Sequence, residues 1–341
     1  MDIKKLFLDL TEYTIPYGME DTLEPLLPKG FKKDSVGNYY YEIGESETLF
    51  TAHLDTYCKK SVKVNHIIEG DIIKTDGKTI LGGDNKAGCC VLINMILNKV
   101  PGTYFFFLGE EPILSGGRWG SRMALRANPS YFKKFKRAIA FDRKHFGSII
   151  TRQSARFCCS DEFAESLIED FDKSGLIFKK DMTGWYTDTA TFMDVIPEIT
   201  NISVGGWGEH SKDEYINIKY LQYVCDAAVQ VKWEQLPTVR LAKSNIPPRT
   251  KGKFTRYDRF LSTQTFKEVC EFLEYYGLTC LNSKDFSPNH PMIFSAWHQD
   301  VEFSVSFFQK NVILDGQSSS VEDFKEMVDP NWRETTKPVD E

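Results

Sequence analysis

Several apolar runs in this sequence end on a histidine or a carboxylate. TLFTA leads into His53-Leu54-Asp55, YFFFLG into Glu110-Glu111, and RAIAF into Asp142, while ITNISVGG is followed at Glu209-His210. Imidazole nitrogens and carboxylate oxygens are the donors of a hard or borderline divalent cation, and a carboxylate left outside the coordination shell can serve as a general base. His53 and Asp55 stand two apart, so on an extended strand they share a face. Asp55 can then orient the imidazole while the other ring nitrogen takes a metal. The segment Leu81-Gly82-Gly83-Asp84-Asn85-Lys86-Ala87-Gly88 puts an acid at a glycine-rich strand-to-helix turn, where Asp84 is either a site ligand or the N-cap of the next helix. Glu110 and Glu111 close a run that reads as a buried strand, and Asp142 is either a site carboxylate or half of a strand-end ion pair with Arg143.

Bringing these groups together requires a scaffold that gathers strand ends. Short β-type runs (YYYEIG, TLFTAHLD, TYFFFLGE, RAIAFD, EITNISVG) alternate with helical patterns over 85–98, 161–173, 187–193 and 218–235, after an opening helix over 3–12 and a second over 22–27. That alternation predicts an α/β fold, a mostly parallel mixed sheet with helices on both faces, and in such sheets ligands bind beyond the carboxyl ends of the strands. So many carboxylates in one buried crevice would be costly without cations, and their convergence therefore predicts metal.

The texture changes after Leu236-Pro237. Paired prolines at Pro247 and Pro248 and a basic stretch lead into a predicted helix over 263–276, strands over 292–296 and 301–314, and a helix over 321–327. The expected organisation is a catalytic domain over 1–238 and, over 239–341, a linker, a small α+β appendage and a frayed tail. With 341 residues, 41% of them apolar, the chain has enough material for a sizeable core. Its net charge of −6 disfavours nucleic acid, and the basic stretch 249–257 reads as a solvated linker. Asp9, Thr11 and Glu12 interrupt the N-terminal apolar run, and no stretch approaches ~18 apolar residues, so a cytoplasmic protein without membrane association is expected. The eight cysteines contain no C-x-x-C and read as reduced and mostly buried.

Taken in order, H-x-D at 53–55, G-G-D-N-K-A-G at 82–88, E-E at 110–111, Asp142 and H-S-K-D-E at 210–214 resemble the zinc-dependent exopeptidase superfamily with two co-catalytic metals, which includes leucyl-type aminopeptidases, peptidase T and acylamino-acid deacylases. Tyr17-Gly18-Met19-Glu20, Asp34-Ser35-Val36-Gly37-Asn38 and Thr187-Asp188-Thr189-Ala190-Thr191-Phe192 are similar to further elements of that family, so the likeness spans roughly residues 5–235. The resemblance implies that Asp84 bridges two metals, that His53 and Asp142 complete one site and Glu111 and His210 the other, that Glu110 is the general base, and that Asp55 supports His53. Two Zn²⁺ are implied, with Co²⁺ or Mn²⁺ able to substitute. Three ligand carboxylates and a bridging hydroxide would balance the four positive charges.

The family's peptidase T and deacylase members insert a dimerisation lid between the last acidic ligand and the final histidine. Here only 68 positions separate Asp142 from His210, which resembles the lidless aminopeptidases and makes a monomer the expected state. Asn85 stands where a second Asp is common, and Gly205-Gly206-Trp207-Gly208 is either a shaper of the substrate pocket or a flexible loop. His290 and His298 lack accompanying carboxylates and read as structural or exposed. The expected activity is amide-bond cleavage in short peptides from the amino end. An N-acyl-amino-acid deacylase and a catalytically silent binding module are the alternatives.

Overall fold

Three segments of the sequence, Thr48–His53, Gly102–Phe107 and Glu198–Ser203, are buried along their whole length, as strands covered on both faces must be. The computed structural model describes residues 1–111, 119–153 and 156–242, and beyond them the backbone of four strands. In chain order these are α1 (Ile3–Leu10), β1 (Lys32–Lys33), β2 (Tyr39–Ile43), β3 (Thr48–His53), β4 (His66–Glu69), β5 (Ile72–Thr75), α2 (Gly83–Leu97), β6 (Gly102–Phe107), α3 (Gly120–Ala127), α4 (Pro129–Phe132), β7 (Arg137–Arg143) and β8 (Ser148–Ile150). There follow β9 (Arg152–Gln153), β10 (Arg156–Phe157), α5 (Asp161–Asp172), β11 (Lys179–Asp181), β12 (Glu198–Ser203), β13 (Gly206–Trp207), β14 (Tyr215–Asn217) and α6 (Ile218–Ala228).

The main sheet has eight strands in the order β1-β2-β6-β3-β7-β12-β8-β11. Its centre, β6-β3-β7-β12, is parallel throughout. β2 joins β6 antiparallel, and β8 meets β12 through an antiparallel bridge. Side chains alternate between two cores. Phe50, Ala52, Tyr104, Phe106, Ile139 and Phe141 face one side with residues of α1, α2, α5 and α6. Leu49, Phe105, Phe107 and Ala138 face the other, with Ala124 of α3 and Phe132 of α4. The α/β class and the mostly parallel sheet expected from the sequence are what the structure shows.

Three boundaries differ from expectation. The second helix is a 3-10 helix over Glu20–Leu26 with Pro25 inside it. α6 stops at Ala228 instead of running to Gln235, because the indole of Trp233 donates to the Ala228 carbonyl (2.9 Å) and the chain re-forms only a 3-10 turn at Trp233–Gln235. A second sheet, β13-β14-β5-β4, was not foreseen; its strands are two to four residues long and half exposed, so they carry little periodic signal.

By compactness the chain divides into two units, Met1–Gln153 with Phe157–Pro247, and Ser154–Arg156 with Pro248–Glu341. In the second, β15 (Met292–His298), β16 (Val301–Phe308), β17 (Asn311–Leu314) and β18 (Gln317–Ser319) form an antiparallel meander. The helices expected over 263–276 and 321–327, the basic stretch 249–257 and His290 lie outside the described residues. Among those described, no helix is long and apolar enough to cross a membrane, and Cys58, Cys89, Cys90, Cys158, Cys159 and Cys225 are free thiols.

Candidate metal centre

Parallel pairing does the first part of the assembly. In register, His53 lies opposite Phe107, and Thr51 opposite both Phe105 and Ala140, so the carboxyl ends of β3, β6 and β7 emerge level and Asp142 stands beside His53. The chain leaving β6 then turns sharply at Gly109, whose φ of +64° suits glycine. Buried side chains fix that turn. Glu20 accepts from Gly109 N (3.1 Å) and from Gly18 N, and Asn38 Oδ1 accepts from Leu108 N (3.1 Å). Asp34 holds Asn38 through both its backbone and its amide (2.9 and 2.8 Å). These contacts give physical roles to the Gly-x-Glu and D-x-x-G-N elements. Asp55 accepts from Glu110 N (3.0 Å) and Glu111 N (2.9 Å), one bond to each carboxylate oxygen, so the strand end carrying His53 clamps the turn carrying both glutamates.

Asp84 is not an N-cap. Gly82 precedes it in the left-handed region, Asp84 itself has non-helical φ/ψ, and the Asn85 side chain accepts from Gly88 N (3.0 Å), capping the regular turns of α2. With capping done by Asn85, both Asp84 oxygens point into the crevice. Oδ1 lies 3.1 Å from His53 Nε2, and Oδ2 lies 3.1 Å from His210 Nε2. His53 Nε2 is also 3.8 Å from Asp142 Oδ1, and His210 Nε2 contacts Glu111 Oε1 directly. Two sets of ligand atoms therefore cluster within 4.8 Å, His53/Asp84/Asp142 and Asp84/Glu111/His210, sharing Asp84; His53, Glu110 and Glu111 make a third, overlapping set. On its far side, His53 Nδ1 sits 3.3 Å from Asp55 Oδ1, an ion-pair contact without full hydrogen-bond alignment. All seven residues singled out in the sequence thus meet in one place.

The charges of this cluster are mutually dependent. Burial opposes charge on His53, but Asp55 and Asp84 outweigh it and hold the imidazole well above its usual value. Burial also works against His210, which Asp84 and Glu111 nonetheless hold up at about 11. The two histidines in turn overcome the burial of Asp84 and keep its carboxyl far below the ordinary range. Burial, reinforced by neighbouring carboxylates, pushes Glu110, Glu111 and Asp142 upward. Two imidazoles and three carboxylates around one shared Asp, with no sulfur among the donors, fit a pair of borderline divalent ions.

Other buried polar groups surround this set. Glu214, to which the sequence reading gave no role, accepts from Leu81 N (2.9 Å), Gly82 N (2.8 Å) and Asp84 N (3.0 Å). Thr187 Oγ1 donates to Asp142 Oδ2 (2.6 Å), and Asn201 Oδ1 accepts from Asp142 N (2.8 Å). Buried Lys86 donates to Asp55 O (3.1 Å) and Thr56 Oγ1 (3.2 Å) beneath the site. Buried Asp188 lies close enough to His53 and Asp55 to feel their charge, and burial pushes it up to about 7. A cavity of about 330 Å³ opens against Asp84, Glu110, Glu111, Asp142 and His210.

No protein-family model matches the chain. Among curated proteins, the uncharacterized protein YqjE of Bacillus subtilis (strain 168) is 36% identical over 89 residues, a match covering 24% of this chain and 24% of YqjE. The chain thus matches about a quarter of that relative's length. Solved structures align far more widely. Aminopeptidase PepT from Bacillus cereus ATCC 10987 superposes with a TM-score of 0.57 at 14% identity, covering 68% of this chain and 97% of its own. A tripeptidase from Staphylococcus aureus subsp. aureus Mu50 gives 0.55 at 14%, covering 68% and 97%. PhTET1-12s, a dodecamer in the asymmetric unit of its crystal, gives 0.52 at 17%, covering 69% and 100%. At such identities the likeness shows a shared fold.

Proposed function

We propose that this chain is a two-metal peptide hydrolase of the exopeptidase type, acting as an aminopeptidase on short peptides. The observation that carries this reading is Asp84, which turns one oxygen toward His53 and the other toward His210, each histidine having a further carboxylate beside it. The shared fold with solved aminopeptidase and tripeptidase structures supports it. His53, Asp84 and Asp142 would hold one ion, and Asp84, Glu111 and His210 the other, with Zn²⁺ the natural occupant and Co²⁺ or Mn²⁺ able to replace it. Bound there, two divalent ions would polarise the scissile carbonyl and acidify a water molecule.

The chain's own contribution is positional and protolytic. Glu110 lines the cavity with its main chain pinned by Asp55. Its carboxylate takes the proton of the attacking water and hands it to the leaving nitrogen, so that one water and one amide become a carboxylic acid and an amine. Asp55 fixes both the His53 ring and the Glu110–Glu111 turn, and Thr187 and Asn201 hold Asp142.

The test is hydrolysis of aminoacyl and N-acyl-amino-acid reporters by the full chain supplemented with Zn²⁺, alongside its metal content. Aminoacyl cleavage that a chelator abolishes is expected. Glu110→Gln should lower kcat by roughly 10²- to 10⁴-fold while metal stays bound. Unchanged turnover would remove Glu110 as the base, and cleavage confined to the N-acyl reporter would reassign the enzyme as a deacylase.

A further inference from the structure

The cavity has two kinds of lining. Beside the metal-competent carboxylates, its lining includes Ile150, Trp185, Tyr186, Val204 and Trp207. Trp207 is held rigidly. It lies directly across from Tyr215 in the β13–β14 pairing and stacks flat on that ring (5.1 Å between centroids, 7° between planes), while Phe146 packs edge-on against it (4.5 Å, 87°). A tryptophan fixed in this way presents its remaining surface with little conformational entropy to lose on binding.

The arginine and the lysine that line the cavity are already engaged. Arg143 Nη2 pairs with Asp181 Oδ2 (3.2 Å) and donates to Thr183 Oγ1 (2.6 Å), and Lys144 Nζ pairs with Glu209 Oε1 (2.6 Å). Asp181 and Glu209 offset the charge of these two side chains, so neither offers a ligand carboxylate an uncompensated charge, whereas an apolar group meets aromatic and aliphatic surface. The volume, about 330 Å³, is at the small end for ligand sites and suits one residue instead of a long peptide.

Building on the aminopeptidase reading above, we propose that this cavity receives the uncharged apolar or aromatic side chain of the substrate's amino-terminal residue, with Trp207 as the surface that selects it. The rigid Gly-Gly-Trp-Gly segment is then a specificity element.

The experiment uses zinc-supplemented full chain and three probes in calorimetry. L-phenylalaninol and L-alaninol carry an α-amine and a side chain but no cleavable bond, and N-acetyl-L-phenylalanine has a blocked amine and a free carboxylate. Phenylalaninol should bind about tenfold more tightly than alaninol, and Trp207→Ala should cut that ratio to about twofold while Trp207→Phe keeps most of it. Trp185→Ala, at an exposed residue of the same cavity wall, should also lower the advantage and decides the matter if Trp207→Ala does not fold. Equal binding of the two amino alcohols, an advantage that survives removal of these indoles, or N-acetyl-L-phenylalanine binding as tightly as phenylalaninol would overturn the proposal. Aminoacyl reporters run in parallel judge the peptidase reading separately: no turnover with the side-chain preference intact rejects peptide cleavage and keeps the subsite.

Discussion

At Glu214 a single buried carboxylate accepts three main-chain N–H groups from the turn that carries Asp84, joining two loops 130 positions apart. One of those loops ends in Asp84 and the other carries His210, so Glu214 sets their separation. Glu214→Gln presents an amide NH₂ where an N–H already points, and the Asp84 turn must move. We expect metal affinity to fall by roughly 10- to 100-fold with the fold retained, read by titration against a chromophoric chelator and by circular dichroism. Unaltered affinity would mean that the turn is held by other contacts. The histidines give a second prediction at this scale. In the metal-free protein both keep a proton at neutral pH, against burial, because Asp55, Asp84 and Glu111 face them. A nitrogen that ligates a metal must shed that proton, so the metal-free form binds more protons than the loaded form, and affinity must rise with pH. Between about pH 6 and 8, calorimetry in buffers of different ionisation enthalpy should show proton release on metal binding. Binding without proton release would exclude the imidazoles as ligands.

Among the elements, the legible ones were those whose burial is written along the chain. β3, β6 and β7 are apolar runs ending in chemistry-bearing residues, and parallel pairing does the rest, which is why His53, Glu110, Glu111 and Asp142 could be read from strand ends. Asp84 was ambiguous in sequence because a helix N-cap and a ligand look alike; only the capping of α2 by Asn85 separates them. Glu214 was illegible, since a glutamate in a polar loop carries no sign of the distant backbone it accepts from. The early end of α6 depends on one indole reaching one carbonyl, a contact between residues that helical periodicity treats as alike. Gly88 in the G-G-D-N-K-A-G segment shows how closely α2 approaches the sheet: a Cβ there would stand 2.2 Å from Phe141 O and 2.3 Å from Asn85 Oδ1. Neither neighbour yields easily, because one is strand backbone and the other is the cap. Gly88→Ala should therefore cost about 1–3 kcal/mol in denaturant unfolding and weaken metal binding, as Asn85 and Asp84 shift together. Gly206→Ala, where a Cβ meets nothing within 4 Å, should stay within about 0.5 kcal/mol of the native chain. Equal stability of the two variants would contradict the close packing of α2 on β7.

For the whole molecule, the question is where the first unit ends. The change in sequence texture suggested residue 238, yet described residues beyond it are tied into the same core. Glu198, fully buried in β12, accepts from Val239 N (2.7 Å) and Arg240 N (2.8 Å) as well as from Ser160. The Arg240 guanidinium donates to the carbonyls of Met193 (3.0 Å) and Ile196 (2.9 Å) and also reaches that of Pro197, and Ala242 is wholly buried. Cutting after Thr238 would strip two N–H donors from a buried carboxylate and leave three carbonyls without their cation, which should cost about 2 kcal/mol or more. A chain cut after Pro247 keeps all of these contacts. We therefore expect residues 1–247 to fold and to match the full chain in metal binding and in aminoacyl-reporter assays, and residues 1–238 to melt at a distinctly lower temperature. If the two fragments unfold together, residues 239–242 are merely draped on the first unit; if 1–247 folds but has lost the activity that the full chain shows, the second unit takes part in the reaction.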